Sequence, residues 1–130
     1  MNKFNLDIIT PTSIQSFKDV SYLRIPGLDG LAGILAKHAE SIIAIDIGEI
    51  KITIDGKDKY FSTSGGYSDI NSSNVQLLLE TVEEQSEIDK KRAEQSLEKA
   101  QKQISDRSVD LDRAQRSIQK AKNRLKILNK

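Results

Sequence analysis

Three observations predict an α+β chain in which a small β-rich domain precedes a helical tail. All seven glycines (27, 30, 33, 48, 56, 65 and 66) and both prolines (11 and 26) lie before residue 85, a shift in composition of the kind that marks a domain boundary. Before that boundary the apolar residues come in short runs that partly alternate, which is the period of a strand. After it they recur in steps of three and four, which is the period of a helix. The expected domains are 1–85 and 86–130.

The first strand is expected at Phe4-Leu6-Ile8, where apolar and polar residues alternate, and Thr10-Pro11-Thr12 closes it because proline favours a turn or a strand edge. Further strands are expected at Val20 to Ile25, Leu31 to Leu35, Ile42 to Ile45, Glu49 to Ile54, Lys59 to Thr63, Tyr67 to Ile70 and Val75 to Val82. Asp55-Gly56 is a hairpin signal between two of them. Many short strands with glycine turns indicate a sandwich or a barrel.

In the tail, Ala93, Leu97, Ala100 and Ile104 make one apolar stripe. Leu111, Ala114, Ile118, Ala121, Leu125 and Leu128 make a second, narrower one. A stripe of this kind needs a partner: the other helix as a hairpin, the β domain, or a helix of another protein. The break between the helices is weakly marked. Ser105-Asp106-Arg107-Ser108 can cap a new helix, yet Ile104 to Leu111 is a step of seven, so the apolar register continues through it. Hairpin and extended arrangements are both compatible with this pattern.

The chain has 130 residues, 37% apolar and 30% charged, enough for one compact domain or a small domain with an extension. The absence of cysteine excludes disulfides, thiolate zinc sites and a thiol nucleophile. The longest apolar run, Ile42 to Ile45, falls far short of the roughly 20 residues of a membrane-spanning helix. The first residues lack the apolar block of a secretory signal and read as mature structure. The net charge of +1 hides an asymmetry: residues 1–85 carry 7 basic and 12 acidic residues, net −5, and residues 86–130 carry 13 and 7, net +6. A basic tail suggests an acidic partner surface, nucleic acid or a membrane face.

No catalytic constellation is visible. The one histidine, His38, has no cysteine or second histidine for company, so a structural or interface role is expected and no metal site. Gly27, Gly30 and Gly33 do not match a dinucleotide fingerprint and are expected to form turns. Gly56-Lys57 lacks the rest of a phosphate loop. Asp89 and Arg92, three apart, share a helix face, and Ser86-x-x-Asp89 has the spacing of a capping box.

Taken in order, Ile9-Thr10-Pro11, the run Pro26-Gly27-Leu28-Asp29-Gly30-Leu31-Ala32-Gly33-Ile34-Leu35, His38-Ala39, Gly48-Glu49-Ile50 and Ser64-Gly65-Gly66-Tyr67 resemble the epsilon subunits of rotary F-type ATP synthases of bacteria and chloroplasts, called delta in mitochondria. In the tail, Ile88-Asp89-Lys90-Lys91-Arg92-Ala93 is similar to the family's Ile/Leu-Asp-x-x-Arg-Ala motif, and Ala121-Lys122-Asn123-Arg124-Leu125 to its Ala-x-Asn-Arg-Leu segment. Ala36 and Glu40 stand where many members have proline, which leaves the loop around His38 less constrained.

The resemblance implies a ten-stranded β-sandwich followed by a two-helix hairpin. It also implies a non-catalytic central-stalk subunit, taking part in ATP synthesis and proton transport, bound to the gamma subunit and the ring of membrane c subunits. Gly30, Gly33 and His38 would belong to the stalk interface. No cofactor would be required. ATP is implied as a regulatory ligand of the folded tail at Glu83, Ile88, Asp89, Arg92, Ala93 and Arg124, with Lys120 replacing a further arginine. In the extended tail a basic face of Arg113, Arg116, Lys120, Lys122, Arg124 and Lys126 would meet acidic segments of the catalytic beta subunits and restrain ATP hydrolysis. The expected location is peripheral, on the cytoplasmic face of the plasma membrane, or on the inner face of an organelle membrane in a eukaryote.

The alternative is a nucleic-acid-binding module built on the basic tail. Against it, the tail has no aromatic residue to stack on bases, and Asp106, Asp110 and Asp112 interrupt the charge. No nucleic acid is therefore expected as a partner. The stripe also lacks Trp and Phe and is rich in alanine, so direct membrane insertion is not expected.

Overall fold

The computed structural model describes residues 3–36, 39–71, 74–104 and 111–130. His38 and the expected cap at Ser105 to Ser108 lie outside the described residues. Nine strands are formed among them: β1 (Phe4–Ile9), β2 (Ile14–Gly27), β3 (Gly30–Ile34), β4 (Ser41–Ile45), β5 (Gly48–Ile54), β6 (Lys57–Thr63), β7 (Gly66–Ile70), β8 (Asn74–Leu79) and β9 (Val82–Glu84). A 3-10 turn at Gln85–Glu87 leads into α1 (Lys90–Ile104) and α2 (Leu111–Leu128).

The strands form two layers. One runs β1-β8-β7-β4, and the other runs β2-β5-β6-β9 with β3 on the far side of β2. Strand β2 belongs to both: its first half pairs with β1, and its second half with β5 and β3. At Asp19 the backbone is left-handed (φ 60), and the register shifts between Val20 and Tyr22, as a bulge that turns a strand requires. One long strand thereby does the work of two, so the count among described residues is nine where ten were expected. Polar Gln15, Ser16, Lys18 and Asp19 fill much of its first half, so that half lacks the apolar pattern that marks a strand in the sequence.

Alternation places Phe4, Leu6 and Ile8 of β1 in the core, opposite Leu23 and Ile25 of β2, Ile50 and Ile52 of β5, and Phe61 of β6, all at most 4% exposed. Each layer thus turns one apolar face inward. The hairpin at Asp55-Gly56 forms as expected, with φ of 51° and 72° and Ile54 paired with Lys57, a two-residue turn of the primed kind that matches strand twist.

The expected strand Val75 to Val82 is two strands. At Glu80 the chain leaves β8, donating its N–H to the Gly65 carbonyl at 3.0 Å. Thr63 Oγ1 donates to the Thr81 carbonyl at 2.9 Å, and the Ser64 and Thr81 hydroxyls lie 2.7 Å apart. These bonds carry the chain across to β9 beside β6. No glycine or proline announces the crossing.

The start of α1 also differs from the expected capping box. Asp89, not Ser86, is the cap: its Oδ1 accepts the Arg92 N–H at 3.1 Å, satisfying one of the donors that a helix start leaves open. The 3-10 turn occupies Ser86, with the Glu84 N–H donating to the Glu87 carboxylate at 3.3 Å.

Helix α1 packs on α2, and α2 packs on β5 and β6. The seam between the helices is alanine. Ala93, Ala100, Ala114 and Ala121 are each 1–2% exposed, while Leu97, Ile118 and Leu125 are only half-buried. A buried methyl or methylene contributes about 0.8 kcal/mol, so a seam of alanines holds the hairpin more weakly than leucines would.

Candidate functional site

Where the tail meets the sandwich, four elements converge. Strand β9 presents Glu83, the 3-10 turn presents Glu87, the start of α1 presents Asp89, Arg92 and Ala93, and α2 presents Arg124. Together they line a cleft of about 130 Å³. Arg124 Nε donates to Glu83 Oε1 at 2.5 Å, with both side chains about one-third exposed. The arrangement is chemically mixed. Two guanidiniums offer forked donors suited to phosphate oxygens, and three carboxylates offer acceptors for amino or hydroxyl groups.

Of the six residues expected at a tail site, five line this cleft. The sixth, Ile88, is 7% exposed and belongs to the core rather than the lining. Ala93, 1% exposed, contributes to the helix seam as well. Lys120 is half-buried and does not line the cleft.

The expected basic face is not one face. At about 3.6 residues per turn, Arg113, Arg116, Lys120 and Arg124 fall on one side of α2, and Lys122 and Lys126 fall nearly opposite. Arg124 enters the cleft just described. Lys122 and Lys126 line a second one, of about 550 Å³, with Arg24, Glu49 and Lys130. Arg113 and Arg116 are exposed near the start of α2.

The residues that fasten the tail down were not foreseen. Asn123 Nδ2 donates to the Gly48 carbonyl at 2.7 Å and to Ser62 Oγ at 3.0 Å. Gln85 Nε2 donates to the Ile127 carbonyl at 2.8 Å and the Lys130 carbonyl at 3.2 Å, satisfying acceptors that the end of α2 leaves open. Glu49, 11% exposed, accepts from Arg24 Nη2 at 3.0 Å and pairs with Lys130 Nζ at 3.2 Å. The Lys130 ammonium also lies 5.7 Å from the centre of the Tyr60 ring. Asn123 and Glu49 each stood within a recognisable segment, though without a role, and nothing in the sequence pointed to Gln85.

The glycine-rich turn presents a different surface. Leu28, Leu31, Leu35 and Ile42 are 61–73% exposed on β3, the residues that flank it and β4, an apolar patch of the kind that marks an interface. Gly30 opens β3 with φ 123. At Gly33 an added Cβ would lie 2.9 Å from the Tyr22 hydroxyl, so a larger residue there would have to displace the end of the Tyr22 side chain. Among the described residues no group of three or more His, Cys, Asp and Glu is placed to hold a metal, and no helix is long and apolar enough to cross a membrane.

Comparison with known proteins gives two adjoining family matches: the ATP synthase delta/epsilon chain beta-sandwich domain over residues 3–85 and its long alpha-helix domain over residues 86–129. The chain is 34% identical over 107 residues to the ATP synthase epsilon chain of Carboxydothermus hydrogenoformans, covering 82% of this chain and 80% of that one. It is 32% identical over 129 residues to that of Staphylococcus haemolyticus, covering 98% and 97%. The fold is similar to a chain in the Euglena gracilis mitochondrial ATP synthase, with a TM-score of 0.82 at 19% identity over 95% of this chain and 79% of that one.

Proposed function

The chain belongs to the ATP synthase delta/epsilon family, and on that premise we propose that its sandwich attaches to the rotor while its tail senses ATP and regulates hydrolysis. Members are non-catalytic subunits of the synthase, which is peripheral to the membrane at this subunit. Residues 1–85 form the attachment unit and residues 86–130 the regulatory one. The gamma subunit and the c ring are the partners of the sandwich. The exposed patch of Leu28, Leu31, Leu35 and Ile42, beside Gly30 and Gly33, supports this, because such a patch gains by being covered. The cytoplasmic face of the plasma membrane, or its organelle equivalent, is the location that this attachment requires.

One observation carries the ATP reading. Glu83, Asp89, Arg92 and Arg124 come from the sandwich and both helices, yet line one cleft in the folded tail. Opening the tail separates Arg124 from the others, so a ligand held by all of them favours the folded form by its differential affinity and no more. The cleft is small. It holds a phosphate group or the edge of a base, and the rest of a nucleotide lies over its open mouth. Released, the tail presents Arg113, Arg116 and Lys120 to acidic segments of the catalytic beta subunits.

Calorimetry of the isolated protein tests the site. ATP should bind without being hydrolysed, and Arg92→Ala and Asp89→Ala should each weaken binding at least about tenfold, or 1.4 kcal/mol. Asp89→Asn separates the two roles of that residue, because asparagine caps a helix about as well as aspartate. It should lower affinity while leaving helix content unchanged. Equal affinities across these variants, or no heat at millimolar ATP, would reduce Asp89 to its capping role.

A further inference from the structure

We propose that the second cleft, on the side of α2 away from Arg124, binds a multivalent phosphate anion and forms only when the tail is folded. Its volume is about 550 Å³, within the range of about 300–1,000 Å³ typical of small-ligand sites. Its charged lining is one-sided: Arg24 from β2, Lys122 and Lys126 from α2, and Lys130 from the end of the chain, against the single carboxylate of Glu49.

Glu49 is already committed. One of its oxygens accepts from Arg24 and the other pairs with Lys130, so it holds those two cations at the wall of the cleft without reaching Lys122 or Lys126. Arg24 lines the cleft with its side chain 28% exposed, and a guanidinium suits phosphate because its donors lie in a fixed fork. Cations approaching from a strand, a helix and the chain end favour an anion with several charges over a single carboxylate.

The site joins the two parts of the chain. Arg24 and Glu49 belong to the sandwich and the three lysines to the tail, so an anion held between them stabilises the folded tail by linkage. This effect does not rest on ATP binding at Asp89 and Arg92, since Arg92 and Arg124 line the other cleft.

Inorganic pyrophosphate titrated calorimetrically into the full chain at low ionic strength, without ATP, tests the proposal. Saturable binding is expected. Replacing both exposed lysines, Lys122→Gln with Lys126→Gln, should weaken it at least about tenfold, while Arg92→Ala should leave it unchanged. Arg24→Gln should weaken it too, but disturbs Glu49, so the lysine pair carries the test. As a control, Lys99→Gln with Arg116→Gln removes the same charge elsewhere on the tail and should have little effect. The proposal is overturned by no heat at millimolar pyrophosphate, by loss of binding on Arg92→Ala with retention in the lysine variant, or by equal losses in the control.

Discussion

Gly66→Ala should unfold the sandwich well below the melting temperature of the unaltered protein, while Gly56→Ala should cost it much less. Both glycines have positive φ, 153° and 72°, but their surroundings differ. A Cβ on Gly66 would stand 2.0 Å from the Leu78 carbonyl oxygen and 2.9 Å from the Leu79 Cα. These are backbone atoms of the paired strand β8, with Gly66 opposite Leu79, so relief requires breaking the ladder. At Gly56 nothing lies within 4 Å, and only the left-handed backbone disfavours alanine, by about 1–2 kcal/mol. A cost of about 4 kcal/mol or more at Gly66 is a large fraction of the 5–15 kcal/mol that stabilises a typical domain. Thermal denaturation should show a fall of at least about 15 °C for Gly66→Ala. A fall no greater than that of Gly56→Ala would mean that β7 and β8 can separate locally at little cost.

Asn123→Ala should release the tail from the sandwich without unfolding either. The side chain supplies both hydrogen bonds that tie the middle of α2 to β5 and β6, at Gly48 and at Ser62, and Ser62 is 6% exposed. Removing a donor and leaving its acceptors covered costs about 1–3 kcal/mol. The ratio of folded to open tail should therefore fall about 5- to 150-fold. Hydrogen exchange should quicken at the amides of α2 and remain slow in the core strands. Affinity for ATP should fall by no more than the same factor, since only the population able to bind has changed. Unchanged exchange in α2 would assign the docking to Gln85 and to the Glu49–Lys130 ion pair instead.

Local chemistry was legible in the sequence and long-range chemistry was not. Asp55-Gly56 announces its turn because the turn needs positive φ at both positions. The alternation in β1 and β5 announces their buried faces. By contrast, the bulge at Asp19 uses an ordinary residue in a left-handed conformation, and the crossing at Glu80 depends on hydroxyls of Thr63, Ser64 and Thr81 that meet only after folding. The spacing of Ser86 and Asp89 fits a capping box, but a 3-10 turn intervenes and makes Asp89 the cap. Glu83, Asp89, Arg92, Ala93 and Arg124 were named through family resemblance, and the fold brings them to one cleft. Gln85 and Asn123 bond to partners 42 and 75 positions away, a separation at which no spacing rule operates.

The central claim, that α2 links the state of the tail to hydrolysis, is tested most directly by steady-state ATPase activity of the assembled synthase. The full chain would be compared with one ending at Ile104, at matched occupancy and over a range of ATP concentrations. Without α2 the hydrolysis rate should rise, most at low ATP, where the full-length tail is least held in its folded form. Equal rates at every ATP concentration would contradict the regulatory role of the tail.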